Sequence, residues 1–321
     1  MIRYIVKRLL LMIPVVLGVT IMIFTIMYFT PGDPAQTIMG ANASLEQLEA
    51  KRVELGLDQP FFTRLFNYIG DVFLRGDLGK SYINNRSVSA DILDRFPRTA
   101  VIALVSVLLS LIIGVPIGVA SAVGQNTWRD RLAMVVSLIG VSMPAFWVGL
   151  LLVIEFSLNL RWLPASGIDT PLHFIMPCFA CSLGGIASIA RQTRSSMLEV
   201  IRADYIVTAR AKGQTEFKVI YNHALRNALI PIITSAGASF GIMLGGALVI
   251  ETVFSIPGLG LYMVKGISNR DYPAIQGAVI FLSIAFSLVM LLTDLIYAYV
   301  DPRIKSQYVS GRRRIRKSNK G

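Results

Sequence analysis

Six stretches of the chain are apolar and nearly free of charge over lengths that cross a bilayer: residues 9–30, 99–123, 132–158, 171–190, 228–250 and 274–300. Only the third and sixth hold a carboxylate, Glu155 and Asp294. The pattern predicts an all-α integral membrane protein with six transmembrane helices. Residues 31–98, between the first two windows, are mixed in character. There Ser44 and Gln47 form a capping-box pair ahead of Leu45, Leu48 and Leu55, and Gly56 marks a stop. Asp58-Gln59-Pro60 opens a second helix with Phe61, Leu65, Tyr68 and Val72 along one side. This small helical segment is expected to act as a lid over the membrane part.

Residues 191–227, between the fourth and fifth windows, are polar and basic. Met197, Ile201, Tyr205 and Thr208 recur at helical spacing, which predicts one amphipathic helix running up to a break at Gly213. Beyond it Phe217, Ile220, Tyr221, Ala224, Leu225 and Ala228 repeat the pattern, with Lys218, Asn222 and Arg226 on a neighbouring face. Two short helices joined at a glycine are thus expected to project from the membrane. Their apolar stripes need cover, from lipid headgroups, from the chain's own helix ends or from a partner.

Composition agrees with the pattern. Of 321 residues 54% are hydrophobic and 16% charged, and the mean hydropathy is +0.61, outside the range of soluble domains. Charge placement sets orientation. The short flanks and loops at 1–8, 124–131 and 191–227 and the tail 301–321 carry most of the Lys and Arg, so N- and C-termini read as cytoplasmic and 31–98 as external. The organisation is then a cytoplasmic N-terminus with a first anchor (1–30), the external segment (31–98), a transmembrane core (99–300) holding the cytoplasmic loop 191–227, and a basic tail (301–321). The net charge of +12 owes much to that tail, Arg303 to Lys320, whose place directly after a span points to anionic lipid rather than nucleic acid. Arg3, Lys7 and Arg8 before the first apolar run mimic a signal peptide, but the run ends in Tyr28-Phe29-Thr30-Pro31 with no small-x-small site and reads as an uncleaved anchor.

Little in the chain suggests catalysis. Gly79-Lys80-Ser81 ends like a phosphate-cradling loop, but Leu74 stands where the first glycine is required. Cys178 and Cys181 lie inside an apolar window and read as small buried thiols. His173 and His223 fall at opposite membrane faces. Gly114, Pro116, Gly118, Gly140, Pro144 and Gly149 in the second and third windows suit close helix packing or a path that opens and closes. The fifth window is rich in small residues, and Ser235, Ser239, Gly241, Gly245 and Gly246 are candidates to line a pathway, joined by the acids Glu251 and Asp294. Glu155 and Glu251 can also simply reach the outer interface. The turn Pro257-Gly258-Leu259-Gly260 suggests a segment dipping back against the bundle. Glu155, Glu251 and Asp294 leave a second class open, a self-contained secondary carrier.

The loop carries a resemblance. Thr208-Ala209-Arg210-Ala211-Lys212-Gly213 followed by His223-Ala224-Leu225-Arg226-Asn227-Ala228 resembles the coupling loop of bacterial ABC-importer permeases. On that family's E-A-A-x-x-x-G-x9-I-x-L-P pattern, Val207-Thr208-Ala209 stands for E-A-A, Gly213 for the glycine, His223 for Ile, Leu225 for Leu and Arg226 for Pro. The departures resemble the form found in the dipeptide, oligopeptide and nickel permease subfamily, B-type subunit. Pro31-Gly32-Asp33-Pro34, Leu55-Gly56-Leu57-Asp58-Gln59-Pro60, Gly76-Asp77-Leu78-Gly79, Ser142-Met143-Pro144-Ala145-Phe146-Trp147, Thr193 to Val200 and Arg270-Asp271-Tyr272-Pro273 extend the likeness over nearly the whole chain. The resemblance implies a non-catalytic permease in a bacterial cytoplasmic (inner) membrane, with no cofactor of its own. It also implies a second related permease, two cytoplasmic ATPases holding ATP and Mg, and an external substrate-binding protein. The helix around Val207 to Gly213 would dock on an ATPase, which would cover the stripe. Di- or oligopeptides are the expected cargo, with glutathione and nickel or metal chelates as alternatives.

Overall fold

The computed structural model describes residues 2–40 and 42–300, so the basic tail 301–321 lies outside the described residues. Helices follow in the order α1 (Ile2–Phe29), α2 (Pro34–Met39), α3 (Leu45–Glu54), α4 (Phe61–Gly70), α5 (Val88–Val123), α6 (Trp128–Ser142), α7 (Ala145–Leu152), α8 (Ile175–Ile201), α9 (Asp204–Ala211), α10 (Glu216–Lys218), α11 (Arg226–Gly246), α12 (Leu248–Val253), α13 (Leu259–Ser268) and α14 (Tyr272–Val300). Single π-helical segments at Asp71–Arg75, Val153–Asn159 and Val219–Leu225 extend α4, α7 and α10.

Among the described residues, five helical stretches are long and apolar enough to cross a membrane: Ile5–Phe29, Val88–Val123, Pro171–Ile201, Glu216–Gly245 and Tyr272–Ile296. The third apolar window is not one continuous helix. Trp128–Ser142 and Ala145–Asn159 meet at 94°. The cause is local: Pro144 lacks an N–H and pushes the residue before it out of the helical region, and Met143 sits extended at φ −83°, ψ 122°. The fifth window also departs from expectation, because α11 ends at Gly246 and residues 248–253 form a separate short helix.

The chain divides into two compact units. The first comprises Met1–Ile102, Val153–Pro177 and Leu244–Ser287. In it the Ser44–Gln47 capping box forms as the sequence indicates, with Ser44 N–H donating to Gln47 Oε1 at 3.0 Å, and Gly56 ends the turn after α3 at φ +64°. Leu65 of α4 is buried, and Tyr68 and Val72 pack against a core of Val16 and Ile23 from α1 with Ile275 and Ile280 from α14. The segment at 31–98 is thus tied to α1 and α14. Asp271 fixes the strap before α5 by accepting from Ser81 Oγ at 2.5 Å and from the Tyr82 N–H at 3.0 Å.

The second unit comprises Ala103–Leu152, Cys178–Met243 and Leu288–Gly321. Here α5 and α8 cross at backbone contact. A Cβ on Gly118 would lie 2.5 Å from the Ala190 carbonyl oxygen and from Thr193 Cβ. Ser106 and Ser110 bind across the crossing to the carbonyls of Cys178 and Ser182 at 3.0 and 3.1 Å, the small-residue packing that membrane helices use. Cys178 is buried and Cys181 half-buried on α8, away from any redox-type turn. Gly118→Ala is expected to destabilise the purified protein by about 1–3 kcal/mol through overpacking, seen as a lowered melting temperature. Gly184→Ala on α8, where nothing lies within 4 Å of the added methyl, should leave it unchanged.

Candidate functional site

The polar loop builds its site within the second unit. Helix α8 stops at Ile201, Ala203 turns extended, and α9 restarts at Asp204, so the single helix expected up to Gly213 is broken in two. The apolar spacing runs through the break because it marks positions that face one core, not a continuous backbone. After α9, Gly213 adopts φ +76° and its N–H returns to the Arg210 carbonyl at 2.9 Å. No atom lies near a Cβ built there, so backbone conformation alone calls for glycine. The π-helical turn Val219–Leu225 then takes up an extra residue and points Val219, Ile220 and Ala224 inward.

Those three side chains join Val119 and Ala122 of α5, Met197 of α8, Ile206 and Ala209 of α9 and Ala228 of α11 in one buried cluster. Half of the stripe's cover is therefore supplied by the chain itself. What stays open is a second set: Tyr205 (46% exposed), Val207 (57%), Phe217 (70%) and Tyr221 (42%). The Phe217 and Tyr221 rings stack 4.6 Å apart. Across the Gly213 turn Arg210 Nε donates to Glu216 at 2.8 Å, and His223 Nε2 lies 2.6 Å from Gln214 Oε1, so the two arms are clamped together. Thr208 Oγ1 donates to the Asp204 carbonyl at 2.9 Å, Ala211, Lys212 and Arg226 are exposed, and Leu225 is half-buried.

Beside this cluster sits an ion pair that pattern reading passed over. Asp130, 3% exposed at the start of α6, accepts from Arg194 Nε and Nη2 of α8 at 2.7 and 2.8 Å, from the Asn126 N–H at 3.0 Å and from Ser121 Oγ. The one sequence signal was an acid placed directly before an apolar run on the basic side of the membrane.

Five of the seven pathway candidates share α11. Ser235 and Ser239 are half-buried on α11, Gly241 is buried, Gly245 is exposed, and Gly246 is the last residue of the helix. Asp294 is half-buried on α14, and Glu155 is exposed, accepting from Asn159 Nδ2 at 3.1 Å. Glu251, read as a lining residue or one reaching the interface, is wholly buried in the first unit. It accepts from Thr99 Oγ1 at 2.5 Å and from the Leu261 N–H at 2.9 Å, while Thr99 Oγ1 in turn accepts from the Leu259 N–H at 2.9 Å. A Cβ at Gly258 would fall 2.3 Å from the Glu251 carboxyl. Burial pushes the Glu251 carboxyl up from its ordinary range, opposed by the hydrogen bonds of Thr99 and of the Leu261 and Gly260 amides. Its observed role is to brace the turn at residues 257–260, which does fold back: α13 packs on α12.

Comparison with known proteins joins these features. Residues 114–306 match the family model described as binding-protein-dependent transport system inner membrane component, and residues 1–105 match its N-terminal companion. The chain is 42% identical over 305 residues to the glutathione transport system permease protein GsiC of Salmonella typhimurium, covering 95% of this chain and 99% of that protein. It is 41% identical over the same length to GsiC of Escherichia coli K12. Among solved structures, an inward-facing form of the MetNI methionine ABC transporter superposes with a TM-score of 0.58 at 19% identity, over 66% of this chain and 96% of that one, which is a likeness of fold.

Proposed function

This chain belongs to the family of binding-protein-dependent transport system inner membrane components, and from that premise we propose that it admits short peptides, glutathione foremost, as the permease of an ABC importer. Glutathione moves ahead of the general di- and oligopeptides read from the motifs, because the relatives that share 95% of the chain are glutathione permeases by name. The chain works as passage and lever; hydrolysis of ATP with Mg belongs to two cytoplasmic ATPase subunits, and an external binding protein delivers the cargo. A second, related permease completes the membrane part.

The observation that carries this reading is the open aromatic set on a rigid mount. Tyr205, Val207, Phe217 and Tyr221 project from segments whose other sides are locked into the buried cluster. Exposed aromatic side chains held rigidly are the ordinary anchors of protein interfaces. We assign them, with Thr208, Arg210, Ala211, Lys212 and the Gly213 turn, to the ATPase. Movement of the partner would then turn α9 and, through Ile206 and Ala209, press on α5 and α8. Ser235, Ser239 and Gly245 on α11 are the lining positions, small enough to pass varied peptides.

Reconstitution tests it. Vesicles holding this chain, its neighbouring permease and ATPases, with the binding protein added, are expected to accumulate labelled glutathione only when ATP is present on the ATPase side. Accumulation by this chain alone would overturn the importer reading, and ATP-driven uptake of other cargo without glutathione or any peptide would overturn the substrate.

A further inference from the structure

The external helix α4 has three faces, and only two of them are accounted for. Phe61, Leu65, Tyr68 and Val72 lie on the side turned to α1 and α14, where Leu65 is buried and Tyr68 and Val72 join the core. Arg64, Asn67 and Asp71 border an open cleft of about 530 Å³. The third face holds Phe62, Phe66 and Ile69 at helical spacing, continued by Phe73 and Leu74 in the π-helical segment that follows. Phe62 is 67% exposed, Phe66 68% and Leu74 88%.

This face continues the surface of a membrane span. Helix α1 exposes Ile21, Met22, Ile26 and Phe29 along its outer half. Its end is joined to α4 by a run of touching rings, with centroids 6.2 Å apart for Phe29–Phe61 and 5.3 Å for Phe61–Phe62. A helix with core, water and apolar open sides, rich in aromatic residues and attached to the end of a span, has the character of one lying along a bilayer surface. We propose that the Phe62–Phe66–Phe73 face rests in the boundary between headgroups and acyl chains, in the leaflet beside the outer end of α1. The lipid surface thereby holds the external segment at a fixed level, with the cleft face turned to water.

Spin labels read the depth directly. In the assembled transporter in lipid nanodiscs, with Cys178 and Cys181 changed to Ser, a label at Phe66→Cys is expected to be relaxed far more by oxygen than by a water-soluble nickel chelate. A label at Asn67→Cys, on the cleft side, should show the reverse. Nickel exceeding oxygen at position 66 would place that face in solvent, and exclusion of both relaxants would place it against protein; either overturns the proposal. The readout needs no knowledge of the cargo.

Discussion

Changing Tyr205 and Phe217 together to aspartate is expected to abolish ATP-driven uptake while the membrane fold survives. Both side chains stand outside the buried cluster, so charge at these positions leaves Met197, Ile206, Ala209, Ile220 and Ala224 packed as before. Loss of two aromatic anchors, at about 2 kcal/mol each, weakens association by roughly 1,000-fold. The direct measurement is recovery of ATPase subunits with the affinity-purified permease, beside the melting temperature of the permease itself. Full recovery with normal uptake would remove this surface from the docking reading. Ala209→Asp makes the contrast: Ala209 is 8% exposed within the cluster, so an acid there should lower stability as well as uptake.

The second large effect concerns the Asp130–Arg194 pair. Arg194→Met leaves a buried carboxylate with only Ser121 and the Asn126 N–H as partners. Removing one member of such a pair costs about 3–5 kcal/mol, whereas removing charge from both costs much less. The single variant should therefore melt well below the wild type. Asp130→Asn combined with Arg194→Gln, which keeps hydrogen-bonding groups on both sides, should regain most of the loss. Equal melting of the single and double variants would show that the pair is not what joins the start of α6 to α8.

What could be read from the chain beforehand was whatever depends on period and on local turn chemistry. The Ser44–Gln47 cap, the Gly56 stop and the glycine turn at 213 are properties of adjacent residues, and each appears where the spacing puts it; the apolar windows appear as helices too, save that the third is bent and the fifth ends early. The bend at Met143–Pro144 was written in the same letters, but hydropathy averages over it, and a proline within a span often leaves only a mild kink. Burial of Glu251 could not be read at all. It depends on Thr99, 152 positions away, and on the absence of a side chain at Gly258. The loop at 191–227 was half legible: its stripes were visible, but which half meets the chain's own helices was decided by Val119, Ala122 and the π-helical turn.

The elbow between α6 and α7 carries a consequence for what surrounds this subunit. Pro144 has no hydrogen to offer the Gly140 carbonyl, and the chain leaves its helical path there at 94°. Hydrocarbon tails supply no donor to a vacated carbonyl. A donor for it must come from water or from polypeptide, and this chain's own α8 already stands close by, with Ala187 Cβ 3.5 Å from a Cβ built at Gly140. Bare hydrocarbon against the bend would leave that oxygen unanswered, so the elbow stays where water or packed polypeptide can reach it.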